Sequence, residues 1–543
     1  MVRINIKRNG QRRAVLGAQL VLTLLTLSVI QKLSPHFSFA KWLLCATGLY
    51  RYLHPTDDEL RTLAGVPKDK HVKGGGGKGN KSYENRNGSG QFHIPRSLEV
   101  QLETTPVLAR DVIHLRYFTE YQWLVDFSAY AAIVYLLSEV YNYYFPLKNE
   151  MNLSMIWCLL AVFFAIKLLS SLTWLYFQNE ESIGERSMVI VACLVYLLIA
   201  MIVLIIDERH LETGLEHAYN SFNESASKFL TAQGLPSSGP ASKLIVKLCI
   251  AVCCGLLGAL FTFPGLRMAK MHWDSLKYCS GRKILQLLLN LSFILPFLLI
   301  VLWIRPISRE YLCERVFENM DKPLLSVEAF EAMRFLIVVF VVLLRFALIP
   351  IYLQSYLNLA HDKIVDLRKE AGRITNVEYQ KKISSIFYYL CVVTLQFAAP
   401  LLLCLYLTLM YKNLGEYTWS GILKSSNSGS VVDGFCTDTC PLIDATLNDS
   451  DVEFLTTTPT HLDATATIMG QSEPLLLDSD DDLKEFNILE SANAMHDQWI
   501  SLKNVFNADV YRGFLGFASW WSYFTLFTSS ALGIVYQSYF NKT

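Results

Sequence analysis

The stretch "MIWCLLAVFFAIKLLSSLTWLYF", residues 155–177, decides the fold class, because it is apolar almost throughout and long enough to cross a membrane. About 20 apolar residues in an α-helix cover the roughly 30 Å of a bilayer's hydrocarbon core. A buried helix of a soluble protein typically has an apolar run of only about 10–14 residues. One cation, Lys167, stands at the centre of this apolar segment.

The whole chain repeats this pattern of long apolar runs separated by polar segments. Of its 543 residues, 52% are hydrophobic and 18% are charged, whereas about 25% of the residues of a typical soluble protein are charged. We therefore predict an all-α fold, a polytopic transmembrane helical bundle with about nine spans. The predicted spans are residues 14–33, 123–145, 155–177, 187–207, 243–263, 284–304, 334–354, 386–411 and 513–537.

A tenth apolar stretch, residues 38–53, is too short and too polar to be predicted as a span. It contains Lys41 and Arg51, and this composition is typical of a helix that lies in the membrane interface or enters the bilayer and returns. We therefore predict a short re-entrant or interfacial helix, which together with the first span forms an N-terminal unit over residues 1–54.

The remaining chain divides into a membrane core and its long polar loops. Residues 55–116 contain a Gly- and Lys-rich tract and are predicted to be a flexible basic loop. Residues 117–411 form the predicted transmembrane core, residues 412–509 an acidic loop, and residues 510–543 the last span and the C-terminus. Within the core, residues 355–385 are predicted to form an amphipathic helix, because apolar residues recur on one face: Leu357, Ala360, Ile364, Leu367 and Ala371.

Basic residues in the short loops predict the orientation of the bundle, because such loops stay in the cytoplasm. The loops after the fifth and seventh spans are rich in lysine and arginine, so residues 55–116, 264–283 and 355–385 are predicted to be cytoplasmic. The loops at 208–242 and 412–509 then face the lumen or the cell exterior. The basic N-terminus fits this orientation only if residues 38–53 also cross the membrane or return through it.

The two predicted luminal loops carry features of the secretory pathway. Asn223 and Asn448 each begin an Asn-X-Ser sequon and are candidate glycosylation sites. Cys436 and Cys440 are a close cysteine pair in a polar segment, and a disulfide between them is expected if the loop faces an oxidising lumen. A metal site there would need two further ligands, and none follows at a standard spacing. Either the plasma membrane or the endoplasmic reticulum is compatible with these features.

The candidate functional site consists of the ionisable residues within the spans, because charges inside a membrane are rare and often functional. These residues are Asp126, Glu139, Lys167 and Arg345. Spans two and three are joined by a short loop and are expected to be antiparallel neighbours. Glu139 lies about 7–8 Å from the centre of its span toward that loop, and helical side chains lean toward their own N-terminus. The side chains of Glu139 and Lys167 are therefore predicted to converge in depth.

The polar face around Lys167 and the nearby cation Arg345 both bear on the role of this charge network. Lys167 shares its helix face with a polar strip that is predicted to point into the bundle: Ser170, Ser171 and Trp174. Arg345 competes with Lys167 for Glu139, because a guanidinium can be bidentate and stays charged. The network is then either an ion pair that fixes helix register or a binding, ion-pathway or proton-coupling site. Asp126 is predicted to be an interfacial residue near the cytoplasmic end of its helix.

Motifs typical of enzymes are missing from the sequence. It has no HExxH, no GxSxG and no Walker-type loop. We therefore expect no enzymatic activity, no cofactor and no bound metal. The formal net charge of zero gives no indication of a nucleic-acid partner, whereas the apolar runs require a lipid bilayer.

Six stretches of the sequence carry a family resemblance that extends from the first span to the eighth. They are SVIQKLSPHFSFAKWLLC, HPTDDELRTLAG, EYQWLVDF, FPGLRMAKMH, YLNLAHDKIVDLRKEAGRIT and FYYLC. These stretches resemble the transmembrane protein 161 family of animal multi-pass membrane proteins. The resemblance implies no assigned enzyme activity, cofactor or catalytic residue. It associates one branch of the family with cardiac rhythm through potassium and calcium currents, and another with protection against oxidative stress.

The residues and the resemblance together support two hypotheses. The first is a non-enzymatic membrane protein that associates with other membrane proteins, including ion channels, and regulates ion currents, membrane excitability or a stress response. The alternative is a transporter or channel with a polar midplane site formed by Glu139, Lys167 and Arg345. A water-filled central chamber would favour the alternative, and charges that are paired and sealed from both sides would favour the first hypothesis.

Overall fold

In the computed structural model of the protein, the apolar segments form long helices that pack against one another. The structure describes residues 21, 23–34, 36–64, 93–94, 102–144, 152–178, 183–232, 234, 242–316, 323–369, 374–419 and 505–540. The helices are α1 (Thr23–Leu33), α2 (Phe39–Cys45), α3 (Asp57–Ala64), α4 (Ala109–Val112), α5 (Phe118–Tyr144), α6 (Ser154–Gln178), α7 (Ile183–Val203), α8 (Leu215–Ala232), α9 (Lys243–Tyr278), α10 (Lys283–Val301), α11 (Val327–Lys369), α12 (Asn376–Tyr388), α13 (Leu390–Leu414) and α14 (Ala508–Phe540). A π-helical turn covers Glu310–Glu314.

Seven helices in the described part of the chain are long and apolar enough to cross a membrane. They are α5, α6, α7, α9, α10, α11 and the α12–α13 pair, which correspond to seven of the nine predicted spans. The first predicted span, 14–33, lies partly outside the described residues, and α1 covers its second half. The last, 513–537, lies within α14, which is helical but less apolar than the other seven. Its crossing of the membrane stays a prediction.

Residues 38–53 form two short elements and not the single helix that was expected. Helix α2 ends at Cys45, and β1 (Tyr50–Tyr52) pairs in antiparallel fashion with β2 (Thr104–Pro106). Gly48 lies between them with a φ of 76°, a conformation that glycine adopts without steric cost and that commonly follows a helix. The turn at Gly48 therefore ends the helical part of this segment.

The predicted amphipathic helix over 355–385 is also divided. Helix α11 continues through the predicted span and beyond it to Lys369, and α12 begins separately at Asn376. The apolar face itself is buried as expected at Leu357, Ala360, Ile364 and Leu367, while Ala371 lies outside the described residues.

A small module, formed by α3 and residues 93–94, packs on α11 and α12 at one end of the bundle. This end carries the basic loops 264–283 and 355–385 and is here called the basic end. An ion pair of 3.9 Å between Lys277 and Asp362 joins α9 and α11 there. Asp57 of α3 accepts hydrogen bonds from Asn376 (2.8 Å) and Gln380 (3.1 Å) of α12. The module has its own apolar cluster: Leu60, Ile94, Ile364, Leu367, Ile374, Tyr379 and Ile383.

The predicted flexible loop, residues 55–116, is therefore structured at both of its ends. It contributes α3 on one side and β2 and α4 on the other, whereas the Gly-rich tract lies outside the described residues. These elements pack on the bundle through contacts far apart in sequence, which local patterns do not reveal.

Small residues allow α9 and α14 to pack closely. A Cβ added to Gly265 would lie 2.0 Å from Ser529 Oγ, so only glycine fits at this contact. The Ser529 hydroxyl donates to the Thr525 carbonyl oxygen of its own helix at 2.7 Å, so it needs no other partner. Helices in lipid associate through such close contacts, because the hydrophobic effect does not drive them together. The serines and threonines of α14 also explain its lower hydropathy.

Candidate functional site

Glu139 and Lys412 form a largely buried ion pair between α5 and α13. Lys412 Nζ lies 2.6 Å from Glu139 Oε2, and Trp419 Nε1 donates to the same oxygen at 3.1 Å. The lysine and glutamate side chains are 6% and 14% exposed. The prediction that Glu139 pairs with Lys167 or Arg345 is therefore wrong. Its partner comes from the last turn of α13, just past the end of the predicted span 386–411.

Lys167 lies on the outer surface of α6. The surrounding residues Phe163 and Trp174 are 65% and 62% exposed, and Ser170 and Ser171 share the same exposed face. No described residue forms an ion pair with Lys167. The prediction that this face points into the bundle is wrong, because α6 turns its opposite face inward: Cys158, Ala161, Ala165, Leu168, Leu169 and Leu172.

The depth of Lys167 distinguishes it from other exposed lysines. Along α6 its Cα lies about 20 Å from Ser154 and about 16 Å from Gln178, at about 1.5 Å per residue. A four-carbon side chain does not reach either end of the helix from that depth. We call the exposed surface of Phe163, Lys167, Ser170, Ser171 and Trp174 the Lys167 strip.

Arg345 is buried in the centre of the bundle and is held without a carboxylate among the described residues. Its Nε donates to the Ser292 carbonyl oxygen at 3.1 Å, and its Nη1 lies 3.6 Å from Met268 Sδ. Tyr352 extends this contact, since its hydroxyl lies 3.1 Å from Ser292 Oγ and 3.4 Å from His272 Nδ1. Arg345 thus belongs to a neutral polar network of α9, α10 and α11, separate from the Glu139 pair.

Asp126 caps the short helix α2. Its carboxylate accepts hydrogen bonds from Ser38 Oγ at 2.7 Å and from the Ala40 backbone N–H at 2.9 Å. Tyr121, five residues earlier in α5, donates its hydroxyl hydrogen to the Ala40 carbonyl oxygen at 3.0 Å. Asp126 is 6% exposed, so it is a buried anchor and not the interfacial residue that was predicted.

The same contacts also locate residues 38–53 along the bundle. The segment begins with Ser38, which contacts Asp126 of α5. Asp126 lies about 12 Å along α5 from Phe118, where this helix begins at the basic end. The segment then leads to Tyr50, whose backbone N–H donates to Gln354 Oε1 of α11 at 2.9 Å. Both contacts lie in the half of the bundle next to the basic end, so the segment enters this half and returns.

A second charge cluster, at the opposite end of the bundle, was not predicted from the sequence. Arg334 is only 1% exposed, and its guanidinium contacts Glu212 at 3.0 Å and Glu331 at 3.2 Å. The guanidinium carbon also lies 4.3 Å above the ring of Trp303. The spacing of Glu331 and Arg334, three residues apart at the start of an apolar run, was the signal for an intrahelical pair.

Arg309 completes this cluster from the loop after α10. It contacts the Glu212 carboxylate, so Glu212 bridges two guanidinium groups. Burial lowers the pKa of Arg309, but the carboxylates of Glu212 and Glu331 together outweigh burial and raise the pKa overall. The loop after α7 is therefore attached to α11 and to the loop after α10 by charge.

Of the four residues at the predicted modification sites, Asn223 lies within the described part of the chain. Asn223 lies half-buried in the middle of α8, a helix that packs on α14, and not in an open loop. Asn448, Cys436 and Cys440 lie outside the described residues. Glycosylation and the disulfide stay predictions. Within the described part of the chain, no group of three or more His, Cys, Asp and Glu residues could hold a metal ion.

A comparison with protein families shows which family the chain belongs to. The family model described as predicted transmembrane protein 161AB matches residues 14–541. The chain belongs to this family. The 161AB match confirms the resemblance carried by the six stretches, and it agrees with an integral multi-pass membrane protein in contact with the lipid bilayer. No solved structure matches the chain.

The four predicted charges therefore lie in separate environments. Glu139 is neutralised by Lys412, Asp126 is satisfied by a helix cap, and Arg345 is held in the core by neutral groups. Lys167 alone among these four combines exposure at mid-depth with the lack of a charged partner in the described structure. This makes the Lys167 strip the candidate functional site of this member of the 161AB family.

Proposed function

We propose that the protein is a non-enzymatic membrane protein that binds other membrane proteins laterally through the Lys167 strip. The exposure of Lys167 at the middle of α6 carries this proposal. A lysine at the centre of a lipid-facing helix costs about 2.5–3.5 kcal/mol on insertion scales. A carboxylate on a neighbouring helix removes much of that cost. The expected partner is therefore a transmembrane helix with Asp or Glu at mid-depth.

A second copy of the chain is less suited to supply this carboxylate. In the described spans, the carboxylates that lie away from the helix ends and within the bilayer are Asp126 and Glu139. Both are largely buried and already engaged, by the α2 cap and by Lys412. Lateral binding to a different protein is thus favoured over self-association.

The family resemblance directs this proposal to potassium and calcium channels as partners. Binding beside a channel would change its gating, and so regulate ion currents, membrane excitability or a stress response in the plasma membrane or endoplasmic reticulum. The separation of Glu139, Lys167 and Arg345 supports association over the alternative of a transporter or channel, because that alternative needs all three around one polar chamber.

Site-specific photocrosslinking in cell membranes tests the proposal. A benzophenone amino acid replaces Trp174 in the Lys167 strip, and a matched control places it at Ile294, which is 56% exposed on α10. We expect a protein adduct from position 174 but not from position 294. The adduct is identified by mass spectrometry and should contain a membrane span with Asp or Glu.

Substitutions of Lys167 then distinguish charge recognition from accidental proximity. Lys167→Met should lower the adduct yield about tenfold, while Lys167→Arg should retain it, because an interhelical polar contact in lipid is worth about 1–2 kcal/mol. Lys228→Met, at an exposed lysine of α8, serves as the control. An adduct yield insensitive to Lys167→Met, or an adduct consisting of two copies of this chain, would contradict the proposal.

Current measurements test the consequence for ion channels. The wild-type protein should change potassium or calcium currents in cells that express the crosslinked partner, and Lys167→Met should remove this effect. Purified protein in vesicles without channels should carry no current. A current in such vesicles would favour the transporter or channel alternative.

A further inference from the structure

A large cavity opens on the side of the bundle between α7, α9 and α14. Its volume is about 1040 Å³, and its walls are mainly apolar, formed by residues that include Val191, Val195, Ile199, Leu266, Leu532 and Val535. Along α7 the cavity extends from Ile199 to Glu185, about 21 Å at 1.5 Å per residue. The hydrocarbon of one leaflet is about 15 Å thick, so the cavity spans one leaflet.

The polar groups deep in the cavity are already satisfied by the protein. Thr262, Thr528 and Ser529 each donate to the carbonyl oxygen four residues earlier in their own helices. Thr528 Oγ1 also lies 3.1 Å from the hydroxyl of Tyr196. The inner part of the cavity therefore offers a ligand an apolar surface, which suits a hydrocarbon chain.

The outer part of the cavity carries two cations. Arg267 and Lys270 lie one turn apart on α9, both half-buried, and neither forms an ion pair with a described residue. Glu185 of α7 lines the same mouth and is exposed, so the three charged residues that line the cavity carry a net positive charge. Asp274, one turn beyond Lys270 on α9, interacts with Lys270 but does not line the cavity. The cations lie at the basic end, where the predicted orientation places the cytoplasmic leaflet.

We propose that this cavity binds an anionic phospholipid from the leaflet at the basic end. One acyl chain lies along α7 and α14, and the phosphate contacts Arg267 and Lys270. An anionic headgroup is favoured over a neutral one because the mouth has a net positive charge, and anionic lipids are concentrated in the cytoplasmic leaflet. A free phosphate would leave the apolar surface exposed. The site lies on other helices than the Lys167 strip and does not depend on it.

Native mass spectrometry of the full-length protein in detergent tests this site. The probes are phosphatidylserine and phosphatidylcholine with identical acyl chains, added at equal concentrations, and inorganic phosphate. The wild-type protein should bind phosphatidylserine about tenfold more than phosphatidylcholine, since each basic residue at a membrane surface contributes severalfold. Equal binding of the two lipids, or displacement of the lipid by millimolar phosphate, would overturn the proposal.

Two variants separate the headgroup contact from the acyl-chain contact. Arg267→Gln with Lys270→Gln should abolish the preference for phosphatidylserine but retain weak binding of both lipids. The matched control, Lys369→Gln with Lys381→Gln, removes two exposed positive charges at the same end and should leave the preference unchanged. A preference that survives in the first variant, or disappears in the control, would contradict the assignment to Arg267 and Lys270.

The second variant fills the cavity. Ala192→Phe places a ring in the α7 wall and should reduce binding of both lipids. Leu194→Phe, on the lipid-facing side of the same helix and 57% exposed, is its control. Elution volume and thermal midpoint confirm that each variant is folded. Unchanged lipid binding in a folded Ala192→Phe protein would show that the chain does not occupy the cavity.

Discussion

Lys412 donates a 2.6 Å hydrogen bond to Glu139, and this pair joins the last turn of α13 to the end of α5. The two residues are 273 positions apart in the chain. Each supplies the opposite charge that is missing from the other's helix, because α5 contains no Lys or Arg and α13 contains no Asp or Glu. Trp419 contacts the same carboxylate oxygen and covers the pair from the segment after α13. The pair therefore fixes the relative height and rotation of two spans.

Removal of one member of this pair should destabilise the protein strongly. Lys412→Met leaves the Glu139 carboxylate buried without a counter-ion, and we expect a loss of about 3–5 kcal/mol in the free energy of unfolding. Unfolding by denaturing detergent in mixed micelles measures this loss. Lys369→Met, at an exposed lysine, is the control and should change stability by no more than about 0.5 kcal/mol.

The double variant shows whether the two residues act together. Glu139→Gln with Lys412→Met removes both charges, so it should be more stable than Lys412→Met alone. If the two single losses simply add in the double variant, the ion pair does not couple the helices as the geometry indicates.

Arg334 should tolerate neither alanine nor lysine. Lysine keeps the positive charge, but it loses the planar contact with the Trp303 ring and the two-sided contact with Glu212 and Glu331. We expect losses in thermal stability equivalent to about 2 kcal/mol for Arg334→Lys and about 4 kcal/mol for Arg334→Ala. Arg305→Lys, at a half-exposed arginine, should lose less than about 1 kcal/mol. Equal losses at both positions would argue against a special role for the buried cluster.

Asp126 should hold α2 in place. In the native protein, burial and the nearby Asp111 raise the pKa of the Cys45 thiol in α2. Asp126→Ala removes the cap, so α2 should open about tenfold more often. The rate of maleimide labelling at Cys45, followed by peptide mass spectrometry, should then rise.

The pH dependence of this labelling has a definite sign. Because only the thiolate reacts, the raised pKa shifts the labelling midpoint of the native protein to higher pH, and Asp126→Ala should shift it down toward the ordinary thiol value. Asp58→Asn, at an exposed position of α3, should leave the midpoint unchanged. A midpoint that stays the same in Asp126→Ala would show that the cap does not control access to Cys45.

Gly265 should be irreplaceable at the contact of α9 with α14. Gly265→Val pushes a side chain against Ser529 and should cost at least about 3 kcal/mol. Gly281→Val, where a Cβ meets nothing within 4 Å, is the control. Size-exclusion chromatography and thermal unfolding measure both. Shortening the opposing side chain should help, so Gly265→Ala with Ser529→Gly should be more stable than Gly265→Ala alone.

The seven helices that are long and apolar enough to cross a membrane were predictable because the bilayer imposes a minimum apolar length that few other structures require. The faces of these helices were not predictable in the same way. In α6, apolar residues cover both the lipid side and the core side, so hydrophobic periodicity does not indicate which side faces inward. Lys167 and the nearby serines predict an inward polar face, whereas the packed face is the one with small residues such as Ala161 and Ala165.

The partners of the buried charges depend on contacts that are distant in sequence. Asp126 was visible as a charge, but its bonds to Ser38 and Ala40 depend on a return of the N-terminal segment into the bundle. The Arg334 cluster is hard to recognise in the sequence because its members lie at span ends, where charged residues are ordinary. The polar residues after residue 354 predict a boundary there, but helix α11 continues without a break to Lys369.

The unbroken helix α11 extends from the predicted membrane span to the module at the basic end. Its 43 residues extend about 64 Å, roughly twice the thickness of the hydrocarbon core. Pro350 lies about 28 Å from Lys369 along this axis, and proline is where helices bend most easily. A bend of about 5° at Pro350 displaces Lys369 by about 2.5 Å, so small tilts inside the bilayer become ångström-scale motion of α3 and α12 outside it.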